Sequence, residues 1–233
     1  MLRTLFLVRH GQTVWNVEGR MQGRLDSALT AQGTEQADAH GRLLGAVGGI
    51  DALFVSSAGR TRATAALINA HVKTRVHYED ALLERDIGDW SGLTMSEIAR
   101  KDPQAWQARI SEPYHFRPPG GENLADMSRR CAALVDRLLT GSDRRVVVVT
   151  HQVMSRVIAG RLLGLTEAET VTTLHPNDLL YRFDFTPGGV VVNHYVAGDG
   201  PRAGLLHQTY SETIDRLRAA DTLRVRDPST GGT

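Results

Sequence analysis

The sequence predicts an α/β fold: a three-layer α/β/α sandwich on a mostly parallel central sheet, with one antiparallel edge strand. Three observations carry that prediction. Strand-like and helix-like runs alternate from about residue 4 to about residue 197. Val146-Val147-Val148-Val149 is apolar without alternation, as expected of a central strand covered on both faces. Pro187-Gly188-Gly189 separates the last two strand-like runs and reads as a hairpin turn, which makes one edge antiparallel.

The elements follow in order. Leu5-Phe6-Leu7-Val8 is a buried strand that ends abruptly in Arg9-His10-Gly11. Thr30 caps a helix that runs to Val47. A strand over 52–55 leads into a helix over 59–70, and a strand over 75–78 follows. Thr94-Met95-Ser96-Glu97 is a capping box that opens a short helix ending before Pro103. Asp102-Pro103 opens the next, through Trp106 and Ile110, with Pro in the first position. Asn123 caps a long helix through Leu139, whose Leu124, Met127, Cys131, Leu134, Val135 and Leu138 form a core-facing stripe. The strand over 146–150 delivers a helix over 152–163, and Thr166 with Glu169 forms another capping box. Strands over 180–185 and 190–195 complete the sheet. Residues 1–210 are expected to form a single domain, followed by a C-terminal extension over 211–233. In that extension 212–223 reads as a marginal helix anchored by Ile214 and Leu217, and 227–233, which has no apolar residue, as disordered.

Composition narrows the function. The 233 residues are 41% hydrophobic and 23% charged, ordinary for a globular chain, and the net charge of +1 gives no global field for nucleic acid or a membrane surface. Cys131 is the sole cysteine, so no disulfide within the chain and no cysteine metal cluster can form; a buried inert thiol is expected. No apolar run approaches the ~20 residues that span a bilayer, and no signal-like segment precedes the first strand. A cytoplasmic enzyme is expected, with no membrane or nucleic-acid partner, no cofactor and no metal; homodimerisation stays open.

The chemistry gathers at strand ends, where open α/β sheets place ligands. Arg9-His10 puts a guanidinium fork and a nitrogen nucleophile side by side, a pairing suited to phosphate. Arg60, in Ser56-Ser57-Ala58-Gly59-Arg60, follows a strand and opens a helix. It reads equally as an anion ligand at a helix N-terminus and as a surface Arg with Ser caps. Glu84 is a candidate general acid, against the plainer reading of a solvated charge beside Arg85 and Asp86. His151, at the end of the all-valine strand, is placed like His10, and adjacent parallel strands would bring the two rings into one crevice. Pro118-Pro119-Gly120-Gly121-Glu122-Asn123 is either loop punctuation or a turn that sets Glu122 near the site. His115 is a weaker candidate just before it.

In this order the segments resemble the histidine phosphatase superfamily, also called the phosphoglycerate mutase-like family, over roughly residues 4 to 197. Arg9-His10-Gly11-Gln12-Thr13, Asn16, Gly19-Arg20-Met21-Gln22-Gly23, Leu29-Thr30 and Gly33 resemble its N-terminal signature, with Ala28 where a Pro is usual. Arg60, Glu84 and His151 fall where the family has its second Arg, its acid/base and its second His. The resemblance implies that His10 becomes phosphohistidine, that Arg9, Arg60 and His151 hold the phosphoryl oxygens, and that Glu84 moves the proton. It implies substrate contacts from Asn16, Arg20, Gln22, Gly23 and Gln152. Gln152 replaces a common Gly. With Val153-Met154-Ser155-Arg156, and with Tyr114-His115-Phe116-Arg117, it is similar to the fructose-2,6-bisphosphatase branch, making Arg117 and Arg156 candidates for a second phosphate or carboxylate. The segment from Ile87 to Thr94 resembles the phosphatase type. The expected activity is therefore metal-independent hydrolysis of a small phosphorylated metabolite. The alternatives are a cofactor-dependent phosphoglycerate mutase, a fructose-2,6-bisphosphatase-like sugar phosphatase, and a non-catalytic phosphate-binding module.

Overall fold

In the computed structural model, residues 2–209 are described, together with Glu212 and Asp215. The helix expected over 212–223 and the disorder expected over 227–233 otherwise fall outside the described residues. The elements run β1 (Thr4–Arg9), α1 (Val14–Val17), α2 (Ala31–Val47), β2 (Ala52–Ser56), α3 (Gly59–Val72), β3 (Arg75–Glu79), α4 (Met95–Lys101), α5 (Pro103–Ser111), α6 (Leu124–Thr140), β4 (Arg145–Thr150), α7 (Gln152–Leu163), α8 (Glu167–Thr172), β5 (Leu179–Thr186), β6 (Gly189–Val196) and β7 (Asp199–Ala203). Two short 3₁₀ turns, Asp80–Leu82 and Gly88–Trp90, lie between β3 and α4.

The strands form one sheet in the order β3-β2-β4-β1-β5-β6-β7. β3, β2, β4 and β1 are parallel; β5 pairs antiparallel with β1, β6 with β5, and β7 with β6. The antiparallel side is thus wider than the one edge strand expected. The Pro187 turn does join β5 to β6, but β7 adds a further strand. All of its residues, Asp199-Gly200-Pro201-Arg202-Ala203, are exposed, so no hydrophobic alternation marks it. Its Pro is tolerated because the strand lies at the sheet edge.

Successive side chains of a strand point to opposite faces, and this sorts the core into two layers. Leu5, Leu7, Val146 and Val148 pack with Leu134 and Val135 of α6 and Val157 and Ile158 of α7. Phe6, Val8, Val147 and Val149 pack with Leu44 of α2 and Ala65 and Ile68 of α3. Each such Val, Leu, Ile or Phe side chain contributes about 1.5–3 kcal/mol by leaving water. The helix caps read from the sequence are present: Thr30 caps α2, Asn123 caps α6, and Thr94–Glu97 and Thr166–Glu169 form reciprocal boxes. A third, smaller cluster of Ile87, Trp90, Ile98, Ala99, Trp106 and Ile110 lies beneath α4 and α5, with Trp90 stacked on Phe116 at 5.2 Å. No helix among the described residues is long and apolar enough to cross a membrane.

Candidate active site

Register decides where the first histidines meet. Arg9 of β1 lies opposite Thr150 of β4, and the His10 amide continues the ladder by donating to the Thr150 carbonyl at 2.9 Å. His10 and His151 therefore leave neighbouring strands at the same end, with ring centroids 5.3 Å apart and edge-on. His10 Nδ1 lies 2.8 Å from the Gly11 carbonyl. A carbonyl only accepts, so Nδ1 carries the proton and Nε2 keeps its lone pair. The surrounding backbone is fixed: Asn177 Nδ2 donates to the His10 carbonyl at 2.8 Å, and the Gly11 amide donates to Thr64 Oγ1 at 3.1 Å. The turn after β1 presses on α2 so closely that a Cβ on Gly11 would stand 2.1 Å from the Gly33 carbonyl oxygen.

Two arginines supply positive charge beside this ring. Arg9 donates to the His175 carbonyl at 3.0 Å. Arg60, on the first turn of α3, donates to the carbonyls of Leu25 at 2.6 Å and Gly23 at 2.9 Å and pairs with Asp26 at 2.9 Å. It is 2% exposed, which removes the surface reading. Asp26, not a serine, accepts from its amide. Both Arg9 and Arg60 line the cleft, and the buried Nε of each has no partner in the protein. Buried donors left open on two converging cations suit an anion. Burial lowers Arg9 to about 10, which still leaves it cationic at neutral pH. Burial, then Arg9 and Arg60, hold His10 well below the usual imidazole range, so it stays neutral.

Glu84 is not a solvated charge. Its Oε1 accepts from the amides of Met154 at 3.2 Å and Arg85 at 2.9 Å, and its Oε2 from the amide of Val153 at 3.2 Å. The carboxylate thus sits at the positive N-terminus of α7 and lines the same cleft as His10. The neighbouring Arg85 also lines the cleft, and its guanidinium donates to the Glu122 and Phe116 carbonyls.

His151 lies beside His10, as two adjacent strands ending in histidine predict, but its environment is more enclosed. It is fully buried and is not among the residues lining the cleft. Its Nε2 pairs with Ser56 Oγ at 2.8 Å, while its Nδ1 has no partner. Burial, then Arg60 and His10, push its proton affinity far down.

The cleft has a volume of about 400 Å³, within the range that holds a small molecule. Asn16, Arg20, Gln22, Gly23, Gln152 and Arg156 all line it. Arg20 donates to the Gly92 carbonyl at 2.8 Å and pairs with Glu97, and Gln22 donates to Thr13 Oγ1 at 2.7 Å. Arg117 does not line it. That exposed side chain pairs with Asp126 and donates to the Gly121 carbonyl at 3.3 Å, outside the cleft. His115 pairs with Glu167 at the surface, 2.9 Å away. Trp15, Met95, Arg109 and Asn177 line the cleft without having been singled out. Met95 lies inside the Thr94–Glu97 capping box, which marks a helix start and not a ligand, and Arg109 sits late on α5 with no such signal. Cys131 is buried, and its thiol is pushed up to about 11 by that burial. Among the described residues no group of three or more His, Cys, Asp or Glu is arranged to hold a metal ion.

The model of the histidine phosphatase superfamily, branch 1, matches residues 5–197. The chain belongs to that superfamily. Its relatives divide between two activities. A 2,3-bisphosphoglycerate-dependent phosphoglycerate mutase of Methylobacterium radiotolerans is 38% identical over 72% of this chain and 83% of its own length. Phosphoserine phosphatase 1 of Hydrogenobacter thermophilus is 34% identical over 69% of this chain and 76% of its own. Among solved structures, a mycobacterial glucosyl-3-phosphoglycerate phosphatase in complex with VO3 is 29% identical, covering 85% of this chain and 100% of its own, with a TM-score of 0.72. The chain is thus an enzyme of the histidine phosphatase superfamily.

Proposed function

We propose that this histidine phosphatase hydrolyses a small phosphomonoester without a metal, through a phosphohistidine on His10. The observation that carries the reading is the His10 tautomer: Nδ1 is held by the Gly11 carbonyl at 2.8 Å, so Nε2 is the nucleophile. In the first step Nε2 bonds to phosphorus as the ester P–O bond breaks, and Glu84 gives its proton to the leaving alkoxide. In the second, water attacks the phosphohistidine, Glu84 takes the water proton, the P–N bond breaks and inorganic phosphate leaves. Arg9 and Arg60 neutralise the equatorial oxygens throughout. His151, beside the ring, is assigned the support of His10 and of transferred charge. Asn16, Arg20, Gln22, Gly23 and Gln152 are assigned to substrate; Arg117, turned away, is left out.

The mutase-named relative favours a second reading, phosphoryl return to a bound phosphoglycerate. Hydrolysis is supported by the short path from Glu84 to α4: the segment turns once at Gly88–Trp90 and is tied down where the Gly92 amide donates to the Met21 carbonyl at 2.8 Å. A phosphate-release screen over small phosphomonoesters, run with and without EDTA, tests both points. Net phosphate release, indifferent to EDTA and lost in His10→Ala, is expected. Isomerised phosphoglycerate without net release establishes the mutase, and EDTA-sensitive turnover defeats the metal-free mechanism.

A further inference from the structure

The geometry points to Arg130 of α6, working with Glu122, as the device that positions the acid/base Glu84; this rests on the role given to Glu84 above. Glu84 sits on a stretch whose regular structure is limited to the 3₁₀ turns on either side. Backbone carbonyls in such a stretch need partners from elsewhere. Arg130 provides them. Its Nη1 donates to the carbonyls of Asp80 at 3.2 Å and Ala81 at 3.0 Å, and its Nη2 to that of Leu83 at 3.0 Å, with the Glu84 carbonyl 3.5 Å from the same nitrogen. The same guanidinium meets the Glu122 carboxylate, Nε at 3.2 Å and Nη2 at 2.7 Å.

Glu122 extends the grip past Glu84. Its Oε1 accepts from the Asp86 amide at 3.0 Å, and its own amide donates to the Asp86 carbonyl at 2.9 Å. Arg85 Nε donates to the Glu122 carbonyl at 2.8 Å. The backbone is therefore held before Glu84 by Arg130 and after it by Glu122, while the carboxylate is steered by the amides of α7. The Arg130–Glu122 pair is largely shielded, with side chains 20% and 12% exposed. Neither residue lines the cleft, so both act through Glu84 and not on substrate. A planar fork that serves several carbonyls and a carboxylate at once is a task a lysine does poorly. The Gly120-Gly121-Glu122-Asn123 turn thereby gains a purpose: it presents Glu122 to this fork.

Leaving groups separate positioning of a proton donor from general loosening of the fold. An alkyl phosphate needs its leaving oxygen protonated; 2,4-dinitrophenyl phosphate does not. For both esters kcat/KM reports the steps up to and including formation of phosphohistidine. Glu84→Gln is expected to lose about 10²–10⁴-fold in kcat/KM on the alkyl ester, with the dinitrophenyl ester changed by no more than about threefold. Arg130→Met is expected to lose about 10–10²-fold on the alkyl ester and again no more than about threefold on the activated one. Glu122→Gln keeps an acceptor for the Asp86 amide but loses the charge, and is expected to show the same selectivity at about tenfold or less; it serves if Arg130→Met does not fold. If Glu84→Gln is selective while the Arg130 and Glu122 variants lose both esters equally, or neither, the positioning role is overturned. If Glu84→Gln itself is unselective, the acid/base assignment falls and the positioning role with it.

Discussion

Helix propensity alone says that Gly33→Ala stabilises α2, by about 1 kcal/mol. The structure predicts the opposite. A Cβ on Gly33 would stand 2.0 Å from the Gln12 carbonyl oxygen and 2.7 Å from the Gln12 amide nitrogen, where ordinary contact begins near 3.4 Å. The obstacle is backbone, so one chain must move by about 1.4 Å to restore contact with the carbonyl oxygen. The movement strains the amide of Thr30 on the Gln12 carbonyl, now 2.9 Å. It also reaches Gly11, whose carbonyl fixes the His10 tautomer. Overpacking of this kind costs about 1–3 kcal/mol, or roughly 2–12 °C in Tm for a domain of this size. Displacing His10, the proposed nucleophile, by about 1 Å costs on the order of 10²-fold in kcat/KM. Thermal unfolding and phosphate-release kinetics on Gly33→Ala read both effects. A variant with unchanged or raised Tm and wild-type kcat/KM would refute the claim that this close approach holds the catalytic turn.

Two further outcomes follow from the buried charges. His175 is lowered to about 3 by burial, whereas the unfolded chain titrates near 6.5. Its folded-state affinity for protons is the weaker one, so stability is lost as pH falls below about 6.5; His175 contributes about 2 kcal/mol of that loss between pH 7 and pH 5, beside the losses from His10, His40 and His151, which burial also lowers. Urea unfolding at both pH values shows that loss in the wild type and a smaller one in His175→Asn; equal slopes contradict it. Arg60→Lys keeps a charge but not a fork that reaches the Gly23 and Leu25 carbonyls, Asp26 and an anion together. It is expected to lose about 10²-fold in kcat/KM and much of the rise in Tm expected of the wild type in inorganic phosphate. Retention of both would remove Arg60 from the anion site.

What was legible in the chain is what local chemistry encodes. The uninterrupted valines of β4 announce a strand covered on both faces, and the polar caps Thr30, Thr94, Asn123 and Thr166 mark helix starts because each satisfies an otherwise open amide. The register that brings His10 beside His151 follows from two parallel strands ending in histidine. Side-chain direction is not encoded in this way. Arg117 stands in a persuasive motif yet turns to Asp126, and His151 turns its Nε2 to Ser56. Arg109 and Trp15 reach the cleft only because α5 and α1 happen to face it in three dimensions. β7 is written in exposed, alternation-free residues, so only pairing with β6 defines it.

Rapid quenching of the turning-over enzyme, followed by peptide mass spectrometry under alkaline conditions, tests the mechanism most directly. An acid-labile phosphoryl group on the peptide carrying His10, formed and lost at rates that match turnover, is the expected result. A phosphoryl group found instead on another side chain, or no protein-bound phosphoryl group during a single turnover, would contradict it.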